Sequence, residues 1–344
     1  MTDASPLLGR RRALLGLLGV TLLQRTASAS AEAGAGADIL VAGPEGGALD
    51  RWGRLLAPLL SRSLTPAASV RVSSFGASDG VTGANRFAVS AAPDGETALM
   101  VPGAAALAWI VGDPRAQFDV GAWVPVLAVL VPALVVGRPG LLRFGSRPRV
   151  AVGGAADLIG LLALDLLGTA PVPVFGMDEP ASVRAAFAQD GIDFAFVAGP
   201  DVASRIADTG AAPVLSLGAS DADGRPMRDR GYPDVPDMTE AYVALRQARP
   251  GGWRYAALLA LAAAARLDFG LMLPQLTPAS AVAQWRRAGT LAVASPDFQA
   301  AAASAGVRPL AGFGAASATA ALAPDAAMLL ELRRWIAAEG WRRT

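Results

Sequence analysis

The side chains that could carry out chemistry in this 344-residue sequence are limited by omission: it has no histidine and no cysteine, and all 30 of its basic residues are arginine. A Ser-His-Asp triad needs an imidazole, and cysteine nucleophiles and Cys/His zinc sites need thiols, so all three are excluded. Without lysine there is no Schiff base and no Walker phosphate grip. Arginine stays protonated and cannot act as a base. Carboxylates, hydroxyls and tyrosines remain, which leaves hydrolysis by two carboxylates as an alternative function. Asp157 and Asp178 are one such pair, although their spacing specifies no reaction. The reading is therefore of a protein that is not an enzyme, with no cofactor and no metal. The groups best suited to contact a solute are backbone amides at glycine corners: Gly43, Gly46 and Gly47 around Glu45; Pro102, Gly103 and Ala104; Gly153 and Gly154; and Gly199. Amides at a helix start act as about half a positive charge, and glycine lets a ligand approach the main chain closely.

Each corner follows a short apolar run that reads as a strand and precedes a helical pattern. "DILVAG", "TALMVPG", "PRVAVGG" and "IDFAFVAGP" are the strands. "LDRWGRLLAPLLSRSL" and "AADLIGLLALDLLG" are two of the helices. Alternating strands and helices predict an α/β protein with βαβ units, and ligands in such sheets sit beyond the carboxyl ends of the strands. The pattern runs once and then begins again, which predicts two lobes with a cleft between them. "WRYAALLALAAAARL", Trp253 to Leu267, reads as a buried alanine-leucine helix. It is too short to cross a bilayer between Arg254 and Arg266.

A composition of 53% hydrophobic and 17% charged residues supports a large core. A net charge of +1 with dispersed arginines excludes nucleic acid as a partner. Residues 1–31 read as a signal peptide: Arg10-Arg11-Arg12, an apolar run from Ala13 to Leu23, then Ala27-Ser28-Ala29 as the cleavage site. Export by the Tat or the Sec route to the periplasm is expected. The tryptophans read as packing residues rather than as ligand platforms.

Five segments taken together resemble one known family. They are "VAGPEGGALDRWGRLLAPLLSRSL", "GVTGANRFAVSAAPDGETALMV", "LSLGASDADGRPMRDRGYPDVPDMTEA", "FGLMLPQLTPASAVAQW" and "SPDFQAAAASAGVRPL". In that order they are similar to the signature stretches of the extracytoplasmic solute receptors of tripartite tricarboxylate transporters, the Bug family of periplasmic solute-binding proteins. The resemblance implies a two-lobe Venus-flytrap fold of type II, with a hinge of crossing strands. Lobe one would be 38–137 plus 266–344, and lobe two 138–265. It also implies a monomer that captures a small carboxylate through backbone amides and delivers it to membrane permease subunits. A flytrap that reports ligand to a membrane signalling partner would have the same sequence features.

The sequence departs from that pattern at the proposed site. Glu45 stands where the family has proline. It would repel an anion, unless it faces solvent or pairs with an arginine. Ala104 and its neighbours replace hydroxyl residues, and "AVGGAADLIG" lacks the family's serines. Asp50 and Asp157 are each either helix caps or ligand contacts. Phe175 and Met177 would form an apolar wall, with Asp178 capping the helix after Pro180. The Trp253–Leu267 helix looks like an insertion. These changes predict a ligand preference shifted from carboxylates toward a less charged or amine-bearing solute.

Overall fold

A computed structural model describes residues 36–64, 69–217, 219–220 and 226–338. The signal-peptide reading falls on residues 1–31, outside the described residues. The strands are β1 (Ala37–Ala42), β2 (Val70–Phe75), β3 (Thr97–Val101), β4 (Trp123–Leu130), β5 (Ala133–Gly137), β6 (Arg149–Val152), β7 (Val172–Phe175), β8 (Phe194–Ala198), β9 (Ala212–Ser216), β10 (Ala219–Ser220), β11 (Pro226–Met227), β12 (Leu267–Pro274) and β13 (Arg308–Ala311). The helices are α1 (Ala48–Leu64), α2 (Val81–Ser90), α3 (Gly103–Val111), α4 (Leu158–Leu166), α5 (Pro180–Ala188), α6 (Val202–Thr209), α7 (Met238–Arg246), α8 (Gly252–Arg266), α9 (Ala279–Ala294), α10 (Pro296–Ala305), α11 (Gly312–Thr319) and α12 (Ala326–Ala338).

Two main sheets organise these elements. The first has six strands in the order β13-β4-β12-β3-β1-β2, and the second has five in the order β7-β6-β8-β5-β9. In the first, β1 runs parallel to β2 and β3, while β12 runs antiparallel to β3 and β4. In the second, β6 runs parallel to β7 and β8, and β5 is antiparallel to β8 and β9. Parallel strands need crossover helices, which cover both faces and explain why β1 and β3 are almost uniformly apolar. The chain crosses between the sheets at Val131-Pro132 and returns where α8 meets β12. The crossings are tied together by the Val131 N–H, which donates to the Arg266 carbonyl at 2.8 Å. The antiparallel strands thus adjoin the crossings, and the carboxyl ends of the parallel strands in each sheet face the other sheet.

The alanine-leucine stretch does form a buried helix, α8, and its position matters for the site. Ala257, Leu258, Ala260, Leu261 and Ala264 are all at most 1% exposed. They pack against α3 and α12 on the side of the first sheet and against α4 on the side of the second. Small side chains let helix axes approach closely. At Gly103 the approach is so close that an added Cβ would lie 2.0 Å from the Ala264 carbonyl oxygen. One continuous apolar cluster consequently runs from α3 through α8 to Leu158, Ile159, Leu161 and Leu162 of α4. The space at the start of α3 is filled by this helix.

Candidate functional site

The β1–α1 corner is built around a buried aspartate. The Gly46 N–H donates to Asp50 Oδ2 at 3.0 Å, Arg54 Nε donates to the same oxygen at 2.9 Å, and the Ser74 hydroxyl donates to Asp50 Oδ1. Asp50 is 2% exposed. The Arg54 and Ser74 hydrogen bonds outweigh its burial and hold its pKa at about 2. The Gly43 amide donates to the Phe75 carbonyl and the Gly47 amide to the Pro44 carbonyl, both at 3.1 Å. All three glycine amides expected to meet a solute therefore have acceptors within the protein. Glu45 is exposed and pairs with Arg54 at 3.4 Å, so it both faces solvent and has an arginine partner.

The β6–α4 corner repeats the device. Gly153 and Gly154 both donate their N–H groups to Asp157 Oδ2, at 2.7 and 2.9 Å. Asp157 closes the short 3-10 turn Ala155–Asp157 that leads into α4. Burial raises its pKa above the ordinary 3.8; the two amides and Arg205 oppose that, and Asp178 adds to it. Here the internal repeat is visible in retrospect as Gly46-Gly47-Ala48-Leu49-Asp50 and Gly153-Gly154-Ala155-Ala156-Asp157. A search for repeats at the strand–helix corners would have found this shared Gly-Gly-Ala-x-Asp pattern.

The other two corners differ. Pro102 precedes α3 in an extended conformation, Gly103 is buried under α8, and Ala104 is exposed. Gly199 adopts φ 133°, and its N–H donates to the Pro132 carbonyl at 3.2 Å, binding this corner to the first crossing.

Three cavities lie around these corners. One, of about 580 Å³, opens between the two sheets; Val111, Asp113 and Ile336 line one side, and Gly153, Phe175 and Asp178 the other. A second, of about 510 Å³, lies within the second sheet's layer and is lined by Asp157, Met177, Asp178, Arg184 and Arg205. The third, of about 400 Å³, joins Arg51, Trp52 and Asp268 to Pro200. Burial alone raises the Asp268 pKa. Gly153, Gly154 and Phe175 thus share the inter-sheet cavity, while Gly43, Glu45, Gly46, Gly47, Pro102, Gly103 and Ala104 do not line it. Phe175 and Met177 face different cavities rather than forming one wall. Glu179, not Asp178, is the residue at the start of α5. Asp178 is exposed and borders two of the cavities. Sequence reading missed Val111 and Asp113, at the far end of the helix that begins at Gly103, and Ile336, which lies far from every glycine corner in the chain; none carries a local pattern. Asp113 is held at 2.8 Å by Arg115, which also pairs with Asp79 at 2.9 Å, so the three side chains together keep one formal negative charge.

No protein-family model matches the sequence, and no curated protein matches it. Solved structures do. The crystal structure of a TctC solute-binding protein from Polaromonas aligns over 88% of this chain and 98% of that one, with a TM-score of 0.64 at 15% identity. The chain has the fold of a TctC solute-binding protein. Periplasmic binding protein BugD aligns over 89% of this chain and 97% of its own, at 18% identity and a TM-score of 0.48. MatC from Rhodopseudomonas palustris, solved with bound malate, aligns over 87% and 97%, at 18% identity and a TM-score of 0.47. Within this TctC-type fold the inter-sheet cavity occupies the space between the lobes, and α8 fills the neighbouring space over α3.

Proposed function

We propose that the protein is an extracytoplasmic, non-catalytic solute receptor that holds a small amine-bearing organic solute between its two lobes. In this reading the lobes are 38–131 with 266–344, and 132–265; the expected boundary at 137 moves back to the first crossing because β5 pairs with β8 and β9 in the second sheet. The observation that carries it is the lining of the inter-sheet cavity. The Gly46, Gly153 and Gly154 amides that would favour a carboxylate are satisfied by Asp50 and Asp157, those of Gly43, Gly47 and Gly199 by backbone carbonyls, and the cavity instead presents Asp178 beside Phe175, Val111 and Ile336. A carboxylate beside an apolar wall suits an ammonium group on a hydrophobic body, and disfavours a dianion by like-charge repulsion. Delivery to membrane permease subunits, and export directed by residues 1–31, belong to the same reading.

The test is a thermal-shift screen of the mature protein, followed by calorimetry on the hits. Amine-bearing solutes should give the largest stabilisation; a ligand at a hundred times its dissociation constant adds about 2.7 kcal/mol. Asp178→Asn should weaken that binding at least tenfold. Dicarboxylates giving the largest shift, unaffected by Asp178→Asn, would overturn the reading.

A further inference from the structure

The crossing segments enclose a fourth cavity, of about 180 Å³, that none of the glycine corners lines. Its walls bring together three arginines from separate parts of the chain. Arg266 is the last residue of α8 at the second crossing, Arg308 is the first residue of β13, and Arg230 lies in the segment between β11 and α7. Leu130, Val131 and Pro132 of the first crossing form the apolar side. Asp229 is the one carboxylate in the lining, so the walls carry a formal excess of two positive charges.

Arg266 is the anomaly. It is only 6% exposed, and its Nε has no hydrogen-bond partner among the described residues. A buried guanidinium costs several kcal/mol unless it is paired and hydrogen-bonded. Its five donors form a planar fork that matches a carboxylate or phosphate. Neither Arg308 nor Arg230 is in an ion pair among the described residues that would draw it away from the cavity. Burial, then Arg308, lowers the Arg266 pKa to about 10, and burial, then Arg230, lowers that of Arg308; Asp229 opposes both shifts. Each guanidinium is thus held among like charges in a partly dry pocket. The volume equals that of about six liquid waters, enough for a small oxyanion with its residual hydration.

We propose that this cavity is a binding site for a small oxyanion, of the carboxylate or the phosphate and sulfate class, held by Arg266, Arg308 and Arg230. Because the 229–231 segment, both crossings and the start of β13 all line it, a bound anion ties the second sheet's side of the molecule to the first across the hinge. The site shares no residue with the Asp178 cavity, so it stands or falls independently of the amine-receptor reading.

The experiment uses the mature protein at constant ionic strength, with chloride as the reference salt. Phosphate, sulfate, acetate and succinate are titrated separately, and binding is read by thermal shift and calorimetry. At least one oxyanion should raise the melting temperature saturably beyond chloride. Arg308→Gln should weaken it at least tenfold, and Arg266→Met should abolish it. Arg266→Met should also raise the melting temperature in chloride, because it removes a buried charge. Responses to phosphate and sulfate alone identify the inorganic class, and responses to acetate or succinate the organic one. Equal responses in the wild type and Arg308→Gln, or oxyanions indistinguishable from chloride, would overturn the proposal. Arg308→Gln and Arg230→Gln, at less buried positions, keep the test decisive if Arg266→Met does not fold.

Discussion

The two Gly-Gly-Ala-x-Asp corners use one device with opposite electrostatic outcomes. At β1–α1, Asp50 receives a guanidinium, a hydroxyl and an amide, and its pKa falls to about 2. At β6–α4, Asp157 receives two amides but no hydrogen-bonded cation, and burial pushes its pKa up. Both carboxylates are tucked against main-chain N–H groups; the difference is two side-chain donors at Asp50, Ser74 from β2 and an arginine one helical turn later. Arg54 lies four residues beyond Asp50, on the same face of α1, whereas Leu161 holds the matching position after Asp157. Amide donors alone do not repay the desolvation of a carboxylate, whereas an arginine in contact does.

Several substitutions would break or sharpen that contrast. The largest effect is expected for Asp50→Ala, which leaves Ser74, Arg54 and the Gly46 amide without their acceptor. It should cost about 2–3 kcal/mol in urea unfolding at pH 7, against about 1 kcal/mol for Asp157→Ala. A cost at Asp157 equal to that at Asp50 would erase the distinction. Next, Gly46→Ala should cost about 1–2 kcal/mol, because Gly46 sits at φ 73° in the left-handed region. Gly154→Ala, at φ −158° with nothing within 4 Å of the added Cβ, should be close to neutral.

The pH dependence should run in opposite directions. Folding lowers the Asp50 pKa, so its contribution is present above the ordinary 3.8 and is lost as pH falls toward about 2. Folding raises the Asp157 pKa, so its contribution favours the fold below 3.8 and is lost as pH rises through the folded-state value. Asp157→Asn, which keeps an acceptor for the amides, should therefore leave stability at pH 7 unchanged or raise it by less than about 1 kcal/mol. Asp50→Asn should lower it and flatten the acid limb of the stability curve. Arg54→Gln removes both the exposed pair with Glu45 and the hydrogen bond to buried Asp50, and should cost about 1 kcal/mol. An NMR titration should show the Asp50 pKa rising in that variant, which would bring the first corner closer to the second, with only the Ser74 hydroxyl left to distinguish them.

Much of this architecture is legible in local sequence. The apolar runs before Gly43, Gly103, Gly153 and Gly199 do form strands, and the helices follow in the expected places. The alanine-leucine run does form a buried helix. Its location, however, could not be read from the sequence: a fully apolar helix reports that it is covered, not by what. The capping roles of Asp50 and Asp157 were one of two readings, because a cap and a ligand contact call for the same residue at the same place. At Asp50 the cap reading gains a partner that local sequence does not show, Ser74, 24 residues away in β2.

The order of elements, the glycine turns and the absence of imidazole and thiol chemistry are properties of the chain itself, set by steric limits and hydrogen bonds within a few residues. Tertiary structure alone decided that α8 would fill the space above α3, that Phe175 and Met177 would face different cavities, and that Arg230, Arg266 and Arg308 would meet at the crossings. Those outcomes depend on which surfaces exclude water together and which charges share a dry pocket, and residues dozens of positions apart acquire such relations only when the sheets are assembled.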